Sequence, residues 1–312
     1  MAEWRLESSR PTLHGHFSRS LPPVLIIDSG DTVVYGPIPD AAWNSVPALR
    51  ADEQPVKVCE RNPELDGGHC LVGPVAIRGA EPGMTVEIHI DRLIAGDRGW
   101  TVAGGWSHEI NDRMGFSEAS TTLHWSLDPQ AKVGINQFGH KIALNPFFGV
   151  IGMPPDQEGR HPTAPPRRTG GNLDCKELVE GVSLFLPIEV PGGLISVGDG
   201  HAAQGDGEVC VTAVECPIAE ARLTFTLHPD LQLKRPRARV GDRWIVFGLD
   251  ENLDEAALQA VEDMSDLIAE QYALDRLTAL AFASLVADFR VTQIVNGVKG
   301  VHAILKDRAI QK

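Results

Sequence analysis

The densest concentration of reactive side chains lies in the segment ISVGDGHAAQGDGEVCVTAVE. It holds Asp199, His201, Gln204, Asp206 and Glu208, interleaved with glycines at 198, 200, 205 and 207. Residues two apart in a strand share a face, which would point Asp199 and His201 together, and likewise Asp206 and Glu208. The glycines let the backbone come close to a bound ion or substrate. Oxygen ligands with one imidazole suit zinc, or calcium where carboxylates dominate. The flanking runs LFLPIEV and EVCVTAV read as core strands, so this polar stretch hangs between buried elements. A second cluster, TGGNLDCK, sets Asn172, Asp174 and Lys176 beside a Gly-Gly turn. It offers a ligand, a hydrogen-bond donor and a cation, although the same pattern also serves as an ordinary capping segment. A third, Gly67-Gly68-His69-Cys70, supplies one imidazole, a residue type that is more often structural than ligating.

These residues need a frame, and the frame reads as β. Between residues 20 and 100, LPPVLIIDSGDTVVYGPIP and GPVAIRGAEPGMTVEIHI alternate apolar with polar positions around Ser-Gly-Asp and Pro-Gly turns. The same turn-then-strand theme returns in VPGGLISVGD and VGDRWIVFG, which predicts a sandwich or barrel of short strands. Residues 100–145 are less regular and carry Trp100, Trp106 and Trp125, placed either to line a pocket or to fill core. Residues 145–175 form a loop rich in Pro, Gly and Arg that leads into the second cluster; long structureless segments in compact proteins are usually functional or disordered, and this one reads as functional. Helical periodicity appears only near the end. Leu258, Val261, Met264, Ile268 and Tyr272 mark one amphipathic face, and LDRLTALAFASLVADF is apolar nearly all round, which predicts a buried helix. Two β-like runs then flank Asn296-Gly297, a strong hairpin signal. The expected organisation is a β-rich body over residues 1–250, with an inserted loop region at 97–175. A helix–helix–hairpin module over 251–312 packs on it. The fold class is mainly β with an added α+β C-terminal portion.

Composition narrows the function. The chain has 312 residues, 43% of them hydrophobic, enough for a sizeable core. With 28 basic and 42 acidic residues the net charge is −14, which argues against a nonspecific nucleic-acid or anionic-membrane binder. Gly 31 and Pro 22 fit a turn-rich, strand-rich body rather than a coiled coil or a regular alternation of strands and helices. No stretch approaches the roughly 20 apolar residues of a membrane span. The N-terminus MAEWRLESSRPTLHGH lacks the apolar run of a secretory signal. Five cysteines, an odd number without a CxxC pair, fit reduced thiols, so the expected compartment is the cytoplasm.

Four strings, GGHCLVGPVAIRGAEPGMTVEIHI, PPRRTGGNLDCKEL, LFLPIEVPGGLISVGDGHAAQGDGEVC and VTQIVNGVKGVHAIL, occur in this order. With them the sequence resembles the acetamidase/formamidase family over nearly its whole length. Residues 97–140 carry no motif of that family. The resemblance implies a mainly β body with an added α/β portion, a homo-oligomer, and a metal-dependent hydrolase that converts short aliphatic amides to carboxylate and ammonia. Carried onto this chain, it brings His69, Asn172, Asp174, Asp199, His201, Gln204, Asp206 and Glu208 as candidates; by residue type, His69, Asp174, Asp199 and His201 are expected around a divalent metal, zinc before calcium. Glu208 is then the general base, with Asp174 and Lys176 also catalytic. Asn172 and Gln204 bind substrate, and Asp206 orients a ligand from behind. The expected partner is a small amide, with no nucleic acid and no membrane. Two rival readings use other chemistry. In one, Cys175 beside Lys176 is a thiolate nucleophile; in the other, the acidic glycine-rich loops hold a metal in a non-catalytic binding protein.

Overall fold

A computed structural model describes residues 1–311. The chain is mainly β. A nine-stranded sheet runs, in spatial order, Glu3–Leu6, Thr32–Tyr35, Ile218–His228, Thr85–Ala95, Ser183–Pro187, Arg237–Val240, Arg243–Asp250, Lys299–Lys306 and Ala287–Gln293. A six-stranded sheet runs Gly170–Asn172, Phe147–Gly152, Ile195–His201, Leu71–Ile77 and Leu13–His14, with Leu25–Ile27 added in parallel to Leu71–Ile77. One apolar cluster joins the two sheets. Val86, Ile88, Ile90, Leu184, Leu223 and Phe225 come from the large sheet, and Val72, Val75, Phe148, Ile151, Ile195 and Val197 from the smaller. Burial alternates along Thr85–Ala95, as its pattern predicts, while Leu71–Ile77 is buried along its whole length. The Pro-Gly turn between these strands does not close a hairpin; it carries the chain from one sheet to the other.

Residues 98–143, irregular by sequence, fold as a separate four-stranded sheet of Arg98–Gly104, Ser120–Asp128, Val133–Asn136 and Lys141–Ala143. Its strands are largely exposed and polar, so the apolar alternation that marks a strand in sequence is weak. Trp125 is core, whereas the Trp100 indole donates to Asp40 Oδ2 at 2.7 Å. The long loop after residue 145 is partly strand as well, with Phe147–Gly152 and Gly170–Asn172 enclosing the connection of residues 153–169.

The helices are Leu253–Tyr272 and Arg276–Val286. Asn252 caps the first by accepting from the Asp254 and Glu255 amides, and Asp275 caps the second by accepting from Leu277 and Thr278. The buried face of the first helix is Ala256, Ala260, Met264, Leu267 and Ile268, while Leu258 is exposed. The shift has a cause in small residues: Gly248, without a Cβ, lets the Ala256 carbonyl lie directly against its strand. The second helix buries only Ala279 and Ala283; Leu277 and Leu285 are each 78% exposed, so the expected burial all round is not met within one chain. The hairpin flanking Asn296-Gly297 forms, and its Lys299–Lys306 strand extends the large sheet. Gln293 fills the turn, its Oε1 accepting from the Val295 and Asn296 amides and its Nε2 donating to Val298 O. Among the described residues no helix is long and apolar enough to cross a membrane.

His14 gives the smaller sheet a pH limit. Its Nδ1 lies 2.7 Å from His16 O and its Nε2 2.9 Å from Ser196 Oγ, which fits a neutral ring donating to the carbonyl and accepting from the hydroxyl. Burial lowers its pKa from 6.5 to about 4. The unfolded ring therefore takes up a proton first as pH falls, and stability declines between pH 6.5 and about 4. The shift corresponds to about 3 kcal/mol. Thermal unfolding followed over this window should show a melting point falling with acid, and a shallower fall in His14→Gln.

Candidate active site

The strand Ile195–His201 ends in the site. His201 is fully buried and its Nε2 faces two carboxylates, Asp199 Oδ1 at 3.3 Å and Glu215 Oε1 at 3.2 Å. Its other nitrogen, Nδ1, is 3.0 Å from Gln204 Oε1, while Gln204 Nε2 donates to Asp174 O at 2.7 Å. Gln204 thus fixes the ring and ties it to the second cluster. Asp174 lies on the Nδ1 side, with its Oδ1 at 3.8 Å, and Asn296 Nδ2 donates to its Oδ2 at 2.6 Å. Phe147 packs edge-on against the imidazole, with ring centroids 5.0 Å apart.

Backbone geometry concentrates here too. Asp174, Asp199 and Glu208 all have left-handed φ values, 47°, 58° and 45°, a conformation that costs a non-glycine residue energy and gathers at functional sites. Gly149 stands opposite Asp199 on Phe147–Gly152, and a Cβ there would lie 2.6 Å from Asp174 Oδ1 and 2.9 Å from His201 Cε1, and would overlap Asp199 Oδ2. Gly198 and Gly200 admit the Cys70 and Cys216 carbonyls at similarly close range. The glycines therefore make space for carboxylates and neighbouring backbone around the imidazole.

The charges are strongly coupled. Burial favours a neutral His201, but the Glu215 and Asp199 carboxylates outweigh it and hold the imidazole well above its ordinary pKa. Burial pushes Asp199 up, and the charges of His201 and His69 overcome that, so its carboxyl stays well below the usual range. Glu215 is raised, chiefly by burial. Burial raises Asp174 to about 7, with His201 pulling the other way. Burial and then the Asp174 charge push Glu208 well above the carboxylate range.

Two groups of side chains could grip a metal ion around the one imidazole, Asp199–His201–Glu215 and Asp174–His201–Glu208, all buried. Tetrahedral zinc with ligand bonds of about 2.0–2.1 Å sets its nitrogen and oxygen ligands roughly 3.3–3.4 Å apart, close to the separations at Nε2. Two oxygens, Asp174 Oδ1 and Glu215 Oε2, are buried without a hydrogen-bond partner. A ring nitrogen between two carboxylates, with unsatisfied oxygens beside it, fits a cation. Gln204 behind Nδ1 is the kind of partner that fixes the tautomer of a ligating histidine.

Asp174, Asp199, His201, Gln204 and Glu208 thus come together as their clusters suggest. His69 belongs to neither group; it lines a cavity of about 640 Å³ with His16, Arg61, Arg160, His161 and Thr163, and Thr163 Oγ1 holds its Nδ1 at 2.8 Å. Asn172 is buried, donating to Ala164 O at 3.1 Å, with its Oδ1 unpartnered. Lys176 and Asp206 stand apart from His201 and pair with each other at 3.0 Å. Asp206 and Glu208 do not share a strand face, because residues 202–211 form a loop turned by positive φ at Gly207, Glu208 and Val211. Glu215, Asn296 and Gly149 were not singled out as site residues by sequence. Cys175 is fully buried, its Sγ 3.6 Å from Glu177 Oε2, and burial pushes its thiol well up, opposite to what a thiolate nucleophile needs.

Fold and site define a class: a two-sheet β protein that closes over a buried carboxylate–imidazole centre. Residues 156–237 match the sequence model of the Acetamidase/Formamidase family. It is 30% identical to a formamidase of Methylophilus methylotrophus over 204 residues, 48% of this chain and 49% of the relative. It is 49% identical to an acetamidase of Mycolicibacterium smegmatis over 69 residues, 22% of this chain and 16% of the relative. The chain spans less than two thirds of the length of the curated relatives it matches. Its fold matches the crystal structure of an acetamidase from Bacillus halodurans with a TM-score of 0.82 at 26% identity, covering 97% of each chain.

Proposed function

We propose that the chain is a metal-dependent hydrolase of short aliphatic amides, yielding carboxylate and ammonia. One observation carries the metal: the His201 nitrogen held between two buried carboxylates while Gln204 fixes the other nitrogen. Asp199, His201 and Glu215 would hold the ion, zinc by its fit to this donor set. When bound, a divalent ion supplies Lewis acidity, lowering the pKa of a coordinated water and polarising an amide carbonyl. The chain's own groups handle the protons. Glu208, beside Asp174, accepts the proton of the attacking water as the C–O bond forms and returns it to nitrogen as the C–N bond breaks, so that ammonia leaves. Asp174, anchored by Asn296, holds Glu208 in place and shares its proton. The formamidase and acetamidase names of the relatives support the substrate class.

Ammonia release from formamide, acetamide and propionamide tests the reading. At least one amide should be turned over, exhaustive chelation should abolish turnover, and added zinc should restore it. No ammonia from any of them with the metal saturated overturns the activity; full turnover after chelation overturns the metal. The acidic charge and the thiols that show no disulfide favour a cytoplasmic enzyme. The exposed Leu277, Leu280 and Leu285 favour a homo-oligomer built on the second helix, which sedimentation velocity decides.

A further inference from the structure

A separate group of donors lies beyond Asp174. Cys175, Glu177 and His302 bring a thiol, a carboxylate oxygen and an imidazole nitrogen within 4.8 Å of one another. Cys175 Sγ is 3.6 Å from Glu177 Oε2, and His302 Nε2 is 3.7 Å from the same oxygen. The second distance is too long for a hydrogen bond. Both are close to the edges of a zinc tetrahedron, roughly 3.3–3.7 Å for bonds of about 2.3 Å to sulfur and 2.0–2.2 Å to nitrogen and oxygen.

The ring itself points to a ligand. His302 is fully buried, its Nδ1 is engaged by Thr292 Oγ1 at 2.8 Å, and its Nε2 has no hydrogen-bond partner. Nε2 is thus aimed into the group with its orientation fixed from behind, as in ligating histidines. Glu177 is divided in the same way. Its Oε1 accepts from Arg290 at 3.2 Å, which leaves Oε2 facing the thiol and the ring. Asp206 draws Lys176 at 3.0 Å, so that lysine is already paired.

We propose that Cys175, Glu177 and His302 form a second metal site, structural in role, for a borderline-soft divalent ion of the zinc type. Sulfur, nitrogen and oxygen together select such an ion over calcium or magnesium, which take oxygen ligands. Binding replaces the thiol proton, which is released to solvent, and a water completes the coordination. The ion ties the loop that carries Asp174 to the C-terminal strand Lys299–Lys306. Asn296, at the turn of that hairpin, already bonds Asp174. The site therefore fixes the backbone next to Asp174, whose carboxylate Asn296 braces.

Cobalt substitution tests this independently of catalysis, because the His201 centre contains no sulfur. Metal-free full-length chain loaded with Co²⁺ should show a thiolate-to-cobalt charge-transfer band in the near ultraviolet. Cys175→Ser should lose the band and one equivalent of bound metal, whereas Cys59→Ser and Cys210→Ser keep both. Should Cys175→Ser fail to fold, X-ray absorption at the zinc edge of the wild-type protein decides, with a sulfur scatterer expected beside nitrogen and oxygen. A purely nitrogen and oxygen shell, a missing band in the cobalt-loaded chain, or a band that survives in Cys175→Ser overturns the proposal.

Discussion

Glu208→Gln should lower kcat for the best short amide about a thousandfold, inside the roughly 10²–10⁴-fold range of general acid–base catalysis. The substitution keeps the side chain's length and its capacity to hydrogen bond, and removes only the ability to take and return a proton. Asp199, His201 and Glu215 are untouched, so bound metal should stay the same by elemental analysis. KM should change little, because the lost interaction belongs to the transition state. A kcat within about threefold of wild type would remove Glu208 from proton transfer. Loss of metal together with activity would instead make Glu208 a ligand, on the Asp174–His201–Glu208 side of the ring.

The reason to assign the proton to Glu208 lies in its surroundings. It is buried, and Asp174 faces it, so two carboxylates compete for one low-dielectric space. Such a pair holds a proton more readily than an isolated carboxylate. Glu215, also buried, sits on the other side of His201, against the Nε2 that Asp199 shares. One ring therefore separates a side suited to holding a cation from a side suited to carrying a proton.

How far this was legible in the sequence follows from the range of each interaction. The strands around the Pro-Gly turns, the two helices and the Asn296-Gly297 hairpin carry local periodicity or turn chemistry, and they form. Asp199 and His201 were legible as one unit because they lie two residues apart in one strand, even though Asp199 adopts a left-handed φ within it. Glu215 was hidden inside an apolar run. It reaches His201 through a backbone bridge that also joins Trp100, a pairing no spacing rule announces. Asn296 signals a turn by its type, and only the fold brings that turn to Asp174. The four-stranded sheet of residues 98–143 was missed because exposed strands carry little apolar alternation. The second helix shows the opposite limit: its composition demands cover that one chain does not provide.

Gly149 is the residue whose importance only the fold reveals, and Gly149→Ala is the sharpest test of the site's geometry. In sequence it is one glycine in a loop-like run, NPFFGVIG. In the fold it lies in a buried strand with the three key side chains directly over its Cα. An added methyl would stand 2.6 Å from Asp174 Oδ1 and 2.9 Å from His201 Cε1, and would overlap Asp199 Oδ2. None of these atoms is the free end of a flexible surface chain. Asp199 and His201 are fixed to the facing strand, and Asn296 holds Asp174. The methyl must therefore displace the carboxylates and the ring by tenths of an ångström to an ångström. A displacement of about 1 Å at a catalytic constellation costs on the order of 10²-fold in rate. Gly149→Ala should accordingly lose about a hundredfold in kcat/KM and bind its active-site metal more weakly, with far-ultraviolet circular dichroism unchanged. A fully active, fully metallated Gly149→Ala would show that the carboxylates and His201 are not required in this arrangement. The proposed centre around His201 would then be wrong.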